Sequence, residues 1–210
     1  MPTAEVHAYV RAALPPAPAR VLEVGAGRGE LAAELRSGGY DVVAIDPAGG
    51  PGIVQVHLHE LTEPDGSFDA AVAVVSLHHV EPLGPSVERL AALVAPGGRL
   101  VVDEFDVDRY DEAAARWWLG HADRSDEPAA LVAHLRDHLH SLTTLTAELG
   151  RWFELGEPVR GAYLYRWEID PALRGAEEAE IAAGRIPATG ARIIATRASR
   201  APAARPRPLG

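Results

Sequence analysis

Two segments of the sequence carry groups able to do chemistry. In Val21-Leu-Glu-Val-Gly-Ala-Gly-Arg-Gly-Glu30 an apolar run meets glycines at positions 25, 27 and 29. Glycine lets the chain turn sharply and lets a ligand approach without a Cβ in the way. A dinucleotide loop uses Gly-x-Gly-x-x-Gly, whose last glycine admits a pyrophosphate to the helix N-terminus. Here that place is taken by Glu30, whose carboxylate would repel a diphosphate. A ligand without phosphates, bearing an amine and a carboxylate, suits the loop better. Asp46 lies 21 residues beyond Gly25, where an acid can accept both hydroxyls of a ribose. The second segment is His78-His79, which follows an apolar run at 68–75. Histidine titrates near neutrality and is the natural base for taking a proton from a hydroxyl. The plainer reading is that one of the two caps the strand end or packs against the next helix. Asp103 and Glu104 end another apolar run, where either can orient a histidine, bind a basic molecule or face water.

The loop and Asp46 together describe a nucleoside with an amino-acid-like end, which S-adenosylmethionine is. These groups need a scaffold that brings strand ends together, and the order of elements supplies one. Helices are expected at 3–14, 30–36, 85–94, 108–120, 127–149 and 176–184, from apolar spacing and Gly/Pro stops. Strands are expected at 20–24, 41–45, 53–58, 68–75, 99–102 and 191–196, with a strand region at 151–167. Alternation of this kind predicts an α/β fold, a mostly parallel sheet with helices on both faces and ligands at the carboxyl ends of the strands.

Composition narrows the partners. Thirty acids against twenty bases give a net charge of −10, which repels phosphate backbones and argues against nucleic acid. With no cysteine, there is no disulfide, thiolate nucleophile or Cys-ligated metal. No apolar run approaches the ~20 residues that span a bilayer, and Glu5, His7 and Arg11 interrupt any leader-like stretch. A cytoplasmic protein with no membrane association, monomeric or homodimeric, is the expectation. One domain is expected over 1–197, with a helical cap near 108–149 and a disordered basic Pro/Ala-rich tail at 198–210.

The chain resembles the class I S-adenosylmethionine-dependent methyltransferases over residues 21–102, about half its length. The motifs are Glu23-x-Gly25-x-Gly27-x-Gly29, Asp46, Phe68-Asp-Ala-Ala-Val-Ala-Val-Val75 leading to Ser76-Leu-His-His79, and Leu93-x-x-Pro96-Gly97-Gly98-Arg99-Leu100. The resemblance implies a Rossmann-like seven-stranded sheet in the order 3-2-1-4-5-7-6, with strand 7 antiparallel. It implies that Gly25, Ala26 and Gly27 line the methionine part with Glu23 beneath them. Asp46 would take the ribose, Pro47 would lie near the adenine, and Ser76 would also touch the cofactor. Where many members have an aspartate for the adenine amino group, this chain has His57-Leu-His-Glu-Leu61. Glu60, with Leu61 beside it, is the substitute, and His57 and His59 are its rivals.

The resemblance also supports His78 and His79 as catalytic candidates for methyl transfer to oxygen or nitrogen of a small organic molecule, and Asp103 joins them from its place at a strand end. Two alternatives stand beside it: an S-adenosylmethionine-binding protein that transfers nothing, and an NAD-dependent oxidoreductase. His134 and His138 share one helical face at a spacing that can hold zinc. With no third ligand in view, no metal is expected, and they are taken as candidates for touching the acceptor from the cap. Trp117, Trp118 and Tyr163 are the aromatic residues expected at the acceptor, the rest being core.

Overall fold

Alternate residues along the central strands decide the layers. The structure is a computed structural model and describes residues 4–199. Strand β1 (Arg20–Val24) sends Val21 to one face and Leu22 and Val24 to the other. In β4 (Phe68–Val74), Ala70 and Val72 part from Ala71 and Ala73 in the same way. Both faces are apolar, so both must be covered by helices. On one side, α1 (Ala4–Ala13) and α2 (Glu30–Ser37) supply Val10, Leu31 and Leu35. On the other, α3 (Leu83–Leu93) and α6 (Leu142–Leu149) supply Val87, Leu90, Leu142 and Leu145. Each such fully buried aliphatic side chain contributes roughly 1.5–3 kcal/mol.

The sheet is completed by β2 (Asp41–Asp46), β3 (Val54–Gln55), β5 (Val94–Phe105), β6 (Phe153–Leu155), β7 (Val159–Gly161) and β8 (Gly190–Arg197). Its order is β3-β2-β1-β4-β5-β8-β6, with β7 also paired to β8. Strands β1 to β5 are parallel, while β8 runs antiparallel to β5, β6 and β7. β6 and β7 are two pieces of one outer strand, interrupted at Gly156-Glu157-Pro158, where proline has no N–H to give the ladder. Counted that way, the order is the expected 3-2-1-4-5-7-6. The chain order reverses between β1 and β4, which opens a crevice at their carboxyl ends.

Several expected elements come out differently. The 53–58 strand is reduced to Val54–Gln55 at the sheet edge, and a 3₁₀ turn at Leu58–Glu60 follows. The long helix expected at 127–149 is two: α5 (Pro128–His138) and α6, separated by Leu139, His140 and Ser141. Ser141 starts the second by accepting from Thr144 N at 3.0 Å, the usual work of an N-cap serine. His140 N donates to the His78 carbonyl at 2.9 Å, and its ring reaches the Val80 carbonyl at 3.0 Å. The strand region at 151–167 ends at Gly161, after which the chain forms a 3₁₀ turn at Leu164–Arg166. Helix α7 (Arg174–Ala182) then leads into β8. In the basic segment, Ala198 N still donates to the Trp152 carbonyl at 3.0 Å, and residues 200–210 lie outside the described residues.

A third apolar cluster sits above the crevice. Helix α4 (Glu112–Leu119) and α5 pack Trp118, Leu131 and Val132 against Phe105, Tyr110 and Leu164. Trp118 is fully buried, stacks on Trp167 with centroids 4.3 Å apart, and donates its indole N–H to the Trp167 carbonyl at 2.7 Å. It holds the cap together and does not face a cavity, contrary to the expectation that it touches the acceptor. Trp118→Ala should cost roughly 3–5 kcal/mol in urea unfolding while leaving nucleoside affinity unchanged. A variant as stable as wild type would take Trp118 out of the core of the cap.

Candidate active site

The glycine loop is fastened over the end of β2. Gly25 N and Ala26 N both donate to the Ile45 carbonyl at 2.9 Å. Gly25 has φ +70, and a Cβ there would stand 2.4 Å from the Ser76 Cβ, so no larger residue fits. Ser76 completes the contact by donating its hydroxyl to the Val24 carbonyl at 2.8 Å. Gly27 has φ +56 and nothing within 4 Å of its missing Cβ, and its N–H donates to Asp46 Oδ2 at 3.0 Å. Asp46 Oδ1 accepts from Ala48 N at 2.9 Å. Two amides thus hold the carboxylate at the lip of β2, with oxygen lone pairs left for a ligand.

Two adjoining cavities open here. One, of about 380 Å³, lies between Asp46, Pro47, His57 and Leu58 on one side and Ser76 and His79 on the other. The second, of about 540 Å³, shares Gly25, Gly27, Val75 and His79 with the first. Its walls are Phe105, Tyr163 and Trp167, with Leu135 and Leu139 above and His78 and Glu23 below. Val75, at the junction, has φ +51, a conformation that costs a β-branched residue about 1–3 kcal/mol and that recurs at functional sites. Its N–H donates to the Asp103 carbonyl at 2.7 Å, which holds it there.

The histidine pair sits on the turn that follows β4. His78 Nδ1–H donates to Glu104 Oε2 at 2.5 Å. The other oxygen of Glu104 accepts from Ser76 N at 3.0 Å and from Leu77 N at 2.6 Å. Glu104 is wholly buried, so this carboxylate is the local counter-charge that fixes both the turn and the imidazole tautomer. With Nδ1 engaged, Nε2 is the ring nitrogen left to His78 on the cavity side. His79 lines both cavities and keeps more accessible surface. Loss of water contact, and then its neighbour His78, lower its proton affinity, which leaves it neutral near pH 7.

Glu23 is 5 % exposed, and among the described residues its Oε2 has no hydrogen-bond partner. Burial pushes its carboxyl up to about 7, against the pull of Arg36 and of the Ala32 N–H. A buried acid with an unused oxygen on a cavity wall suits a cationic ligand group.

Of the remaining sequence candidates, the structure brings some to these cavities and not others. Asp103 follows the strand alternation to the face opposite Glu104. There it is 1 % exposed, paired with Arg166 and accepting from Arg192 Nε at 2.7 Å, beside a separate polar cavity of about 240 Å³. It does not reach the histidines. Glu60 is exposed, and Leu61 is buried in the core with its carbonyl accepting from Arg89 Nε at 2.7 Å. Neither lines a cavity, whereas the rival His57 does. His134 and His138 are exposed, with their rings tilted against each other at 4.1 Å, while Leu135 of α5 and Leu139 just beyond it line the second cavity. No group of three or more potential metal ligands forms among the described residues. Trp117 packs on His121 at 4.7 Å away from the cavities. Tyr163 is at the cavity, stacked on Phe105 at 4.8 Å. Phe105, Trp167, Leu135 and Leu139 were not among the sequence candidates; only the apolar spacing of Leu131, Leu135 and Leu139 signalled that face of α5.

A methyltransferase domain family model matches residues 3–155. The chain belongs to that family. It is 38 % identical over 110 residues to the ubiquinone biosynthesis O-methyltransferase of Xanthomonas axonopodis pv. citri (strain 306), a match covering 44 % of this chain and 45 % of that protein. The match therefore spans less than half of that relative's length. An S-adenosylmethionine-dependent methyltransferase from Mesorhizobium loti superposes with TM-score 0.61 at 20 % identity, over 93 % of this chain and 98 % of that one. The Burkholderia thailandensis 1,6-didemethyltoxoflavin-N1-methyltransferase, bound to 1,6-didemethyltoxoflavin and S-adenosylhomocysteine, gives TM-score 0.55 at 20 % identity, over 93 % and 76 %. These two likenesses show the Rossmann-like fold.

The raised Glu23 carboxyl has a measurable consequence. Its proton is held more tightly in the folded chain than in the unfolded one, so it stabilises the fold at low pH. That contribution is lost as pH rises from about 4.5 through about 7. Thermal melts should show stability falling over that window by up to roughly 3 kcal/mol relative to Glu23→Gln. Parallel profiles for the two proteins would show that Glu23 is not perturbed.

Proposed function

We propose that the protein is an S-adenosylmethionine-dependent methyltransferase acting on oxygen or nitrogen of a small, flat organic molecule. The observation that carries this reading is the continuity of the two cavities: a nucleoside pocket at Asp46 opens past Gly25 and Gly27 onto an imidazole backed by a buried glutamate. The residues present fit the cofactor. The bare surface at Gly27 gives it room, Asp46 would accept from the ribose hydroxyls, Pro47, His57 and Leu58 would enclose the adenine, and the unused Glu23 oxygen would take the ammonium group. When bound, S-adenosylmethionine supplies an electrophilic methyl on a positively charged sulfur.

The chain's own work is positioning and proton transfer. Phe105, Tyr163 and Trp167 would hold a flat acceptor with its hydroxyl against His78. As the acceptor oxygen took the methyl group, its proton would pass to His78 Nε2, the carbon–sulfur electron pair remaining with the departing thioether. Glu104 stabilises the resulting imidazolium through Nδ1–H. An amine acceptor would use the same wall and lose its proton after transfer. The acidic charge balance and the enclosed cavity favour a small molecule over nucleic acid, and no helix among the described residues is long and apolar enough to cross a membrane. We take residues 4–199 as one catalytic domain, with α4 and α5 as its cap and α6 in the layer on the sheet, working in the cytoplasm. Glu30, exposed at the start of α2, disfavours the diphosphate of NAD there.

Calorimetric titration with S-adenosylhomocysteine, NADH and ATP should show binding of the first alone. Asp46→Ala should weaken it by about 1–3 kcal/mol through loss of charge-assisted hydrogen bonds; unchanged affinity would remove Asp46 from the pocket. A screen of phenol, amine and carboxylate acceptors with labelled methyl donor should return phenols or amines. With a phenol, His78→Gln should lower kcat by about 10²–10⁴-fold at unchanged S-adenosylhomocysteine affinity. Wild-type turnover in that variant would withdraw the base, and binding without transfer to any acceptor would leave a cofactor-binding protein.

A further inference from the structure

The acceptor side of the cavity is built by a short strap outside the region matched by the family model. After β7 the chain leaves the sheet, and residues 163–168 deliver Tyr163, Arg166, Trp167 and Glu168 to the cavity in six positions. Tyr163 lies flat on Phe105 with 28° between the rings, and the Arg166 guanidinium covers Tyr163 at 4.7 Å. The first amides of this strap are buried and have no strand or helix to receive them. One side chain takes all three. Glu177 of α7 accepts from Tyr163 N at 2.8 Å and Leu164 N at 3.0 Å with one oxygen, and from Tyr165 N at 2.8 Å with the other. It is 0 % exposed. Burial raises its proton affinity and the three N–H groups, with Arg166, work against that rise.

Glu104 does the same on the opposite wall, where its carboxylate gathers two amides and the His78 ring. Two 3₁₀ turns, one carrying the base and one carrying the aromatic wall, therefore each hang from a single buried glutamate. Nothing in the nucleoside cavity comes from residues 161–177. The strap can shift without moving Asp46 or the glycine loop, so its clamp leaves the nucleoside cavity alone and acts on the aromatic cavity, which the acceptor shares with the Glu23 end of the cofactor site.

Taking the methyltransferase reading as given, we propose that Glu177 is a positioning residue for the methyl acceptor, holding Tyr163 and Trp167 at the spacing that admits a flat ring. Glu177 touches neither ligand. Its removal changes the acceptor's affinity through the strap and leaves the nucleoside hold on the cofactor as it was.

Glu177→Gln is the test, since it keeps the shape and one accepting oxygen but points an NH₂ group at an amide. Three measurements are made on the full chain. S-adenosylhomocysteine Kd by calorimetry should stay within about twofold. Amide hydrogen exchange on the S-adenosylhomocysteine-loaded protein should speed up at residues 163–168 and nowhere near 25–29 or 46–48. With catechol as first phenolic probe, and then any phenol from the acceptor screen, KM should rise at least tenfold with kcat within about threefold. An unchanged exchange pattern, protection lost across the whole chain, or an acceptor KM equal to wild type would overturn the proposal. If the Gln variant does not fold, Glu177→Asp, which keeps the charge and withdraws it by one methylene, is measured in the same way. If wild type binds no S-adenosylhomocysteine, the methyltransferase reading fails. Exchange on the free protein then still decides whether Glu177 clamps the strap. If no phenol turns over, the exchange pattern on the loaded protein decides.

Discussion

The contact of Gly25 with Ser76 sets the geometry on which the rest depends. Strands β1 and β4 are held side by side by their ladder, but at their carboxyl ends one chain turns into the glycine loop and the other into the histidine turn. Those two turns pass within the reach of a single methyl group, which only a residue lacking one permits. The Ser76 hydroxyl then closes on the Val24 carbonyl. The nucleoside pocket lies on one side of this pinch and the aromatic cavity on the other, so the same contact joins and divides them. Sharing of the Ile45 carbonyl by two amides extends the constraint to β2 and carries Asp46 with it.

Buried carboxylates supply the remaining precision. Irregular turns leave amides without partners, and a turn at the end of a buried strand cannot give them to water. Glu104 and Glu177 meet that need from neighbouring elements, and Asp46 does so for Gly27 at the rim. Glu104 and Glu177 remove local freedom without adding a side chain to either cavity. The cost of burying charge is offset by several N–H donors at once, which is the arrangement that makes such burial tolerable.

How much of this could be read from the sequence follows from which interactions are local. The glycine spacing, Asp46 and the alternation of strands and helices depend on neighbours along the chain, and these were legible, while the sheet order followed from the family resemblance alone. The pairing of Glu104 rather than Asp103 with His78 depends on which face each takes in a strand that is buried on both sides. Hydrophobic patterning gives no sign of that parity. His134 and His138 drew notice by spacing, yet the leucines of the same helix face inward, because burial of an aliphatic side chain outweighs that of a solvated imidazole. Trp118 and Tyr163 look alike in the sequence; their separation into core and cavity wall is made by the 3₁₀ turn at Leu164–Arg166. The break at Ser141, like the one at Pro158, was a missed boundary that carried a local signal, here a serine placed to cap the next helix.

That break also ties the cap to the chemistry. His140, in the gap between α5 and α6, is hydrogen-bonded through its backbone to His78 and through its ring to Val80. The peptide bearing the imidazole is thus stitched to the link between α5 and α6, so the roof and the turn registered with Glu104 share one set of hydrogen bonds.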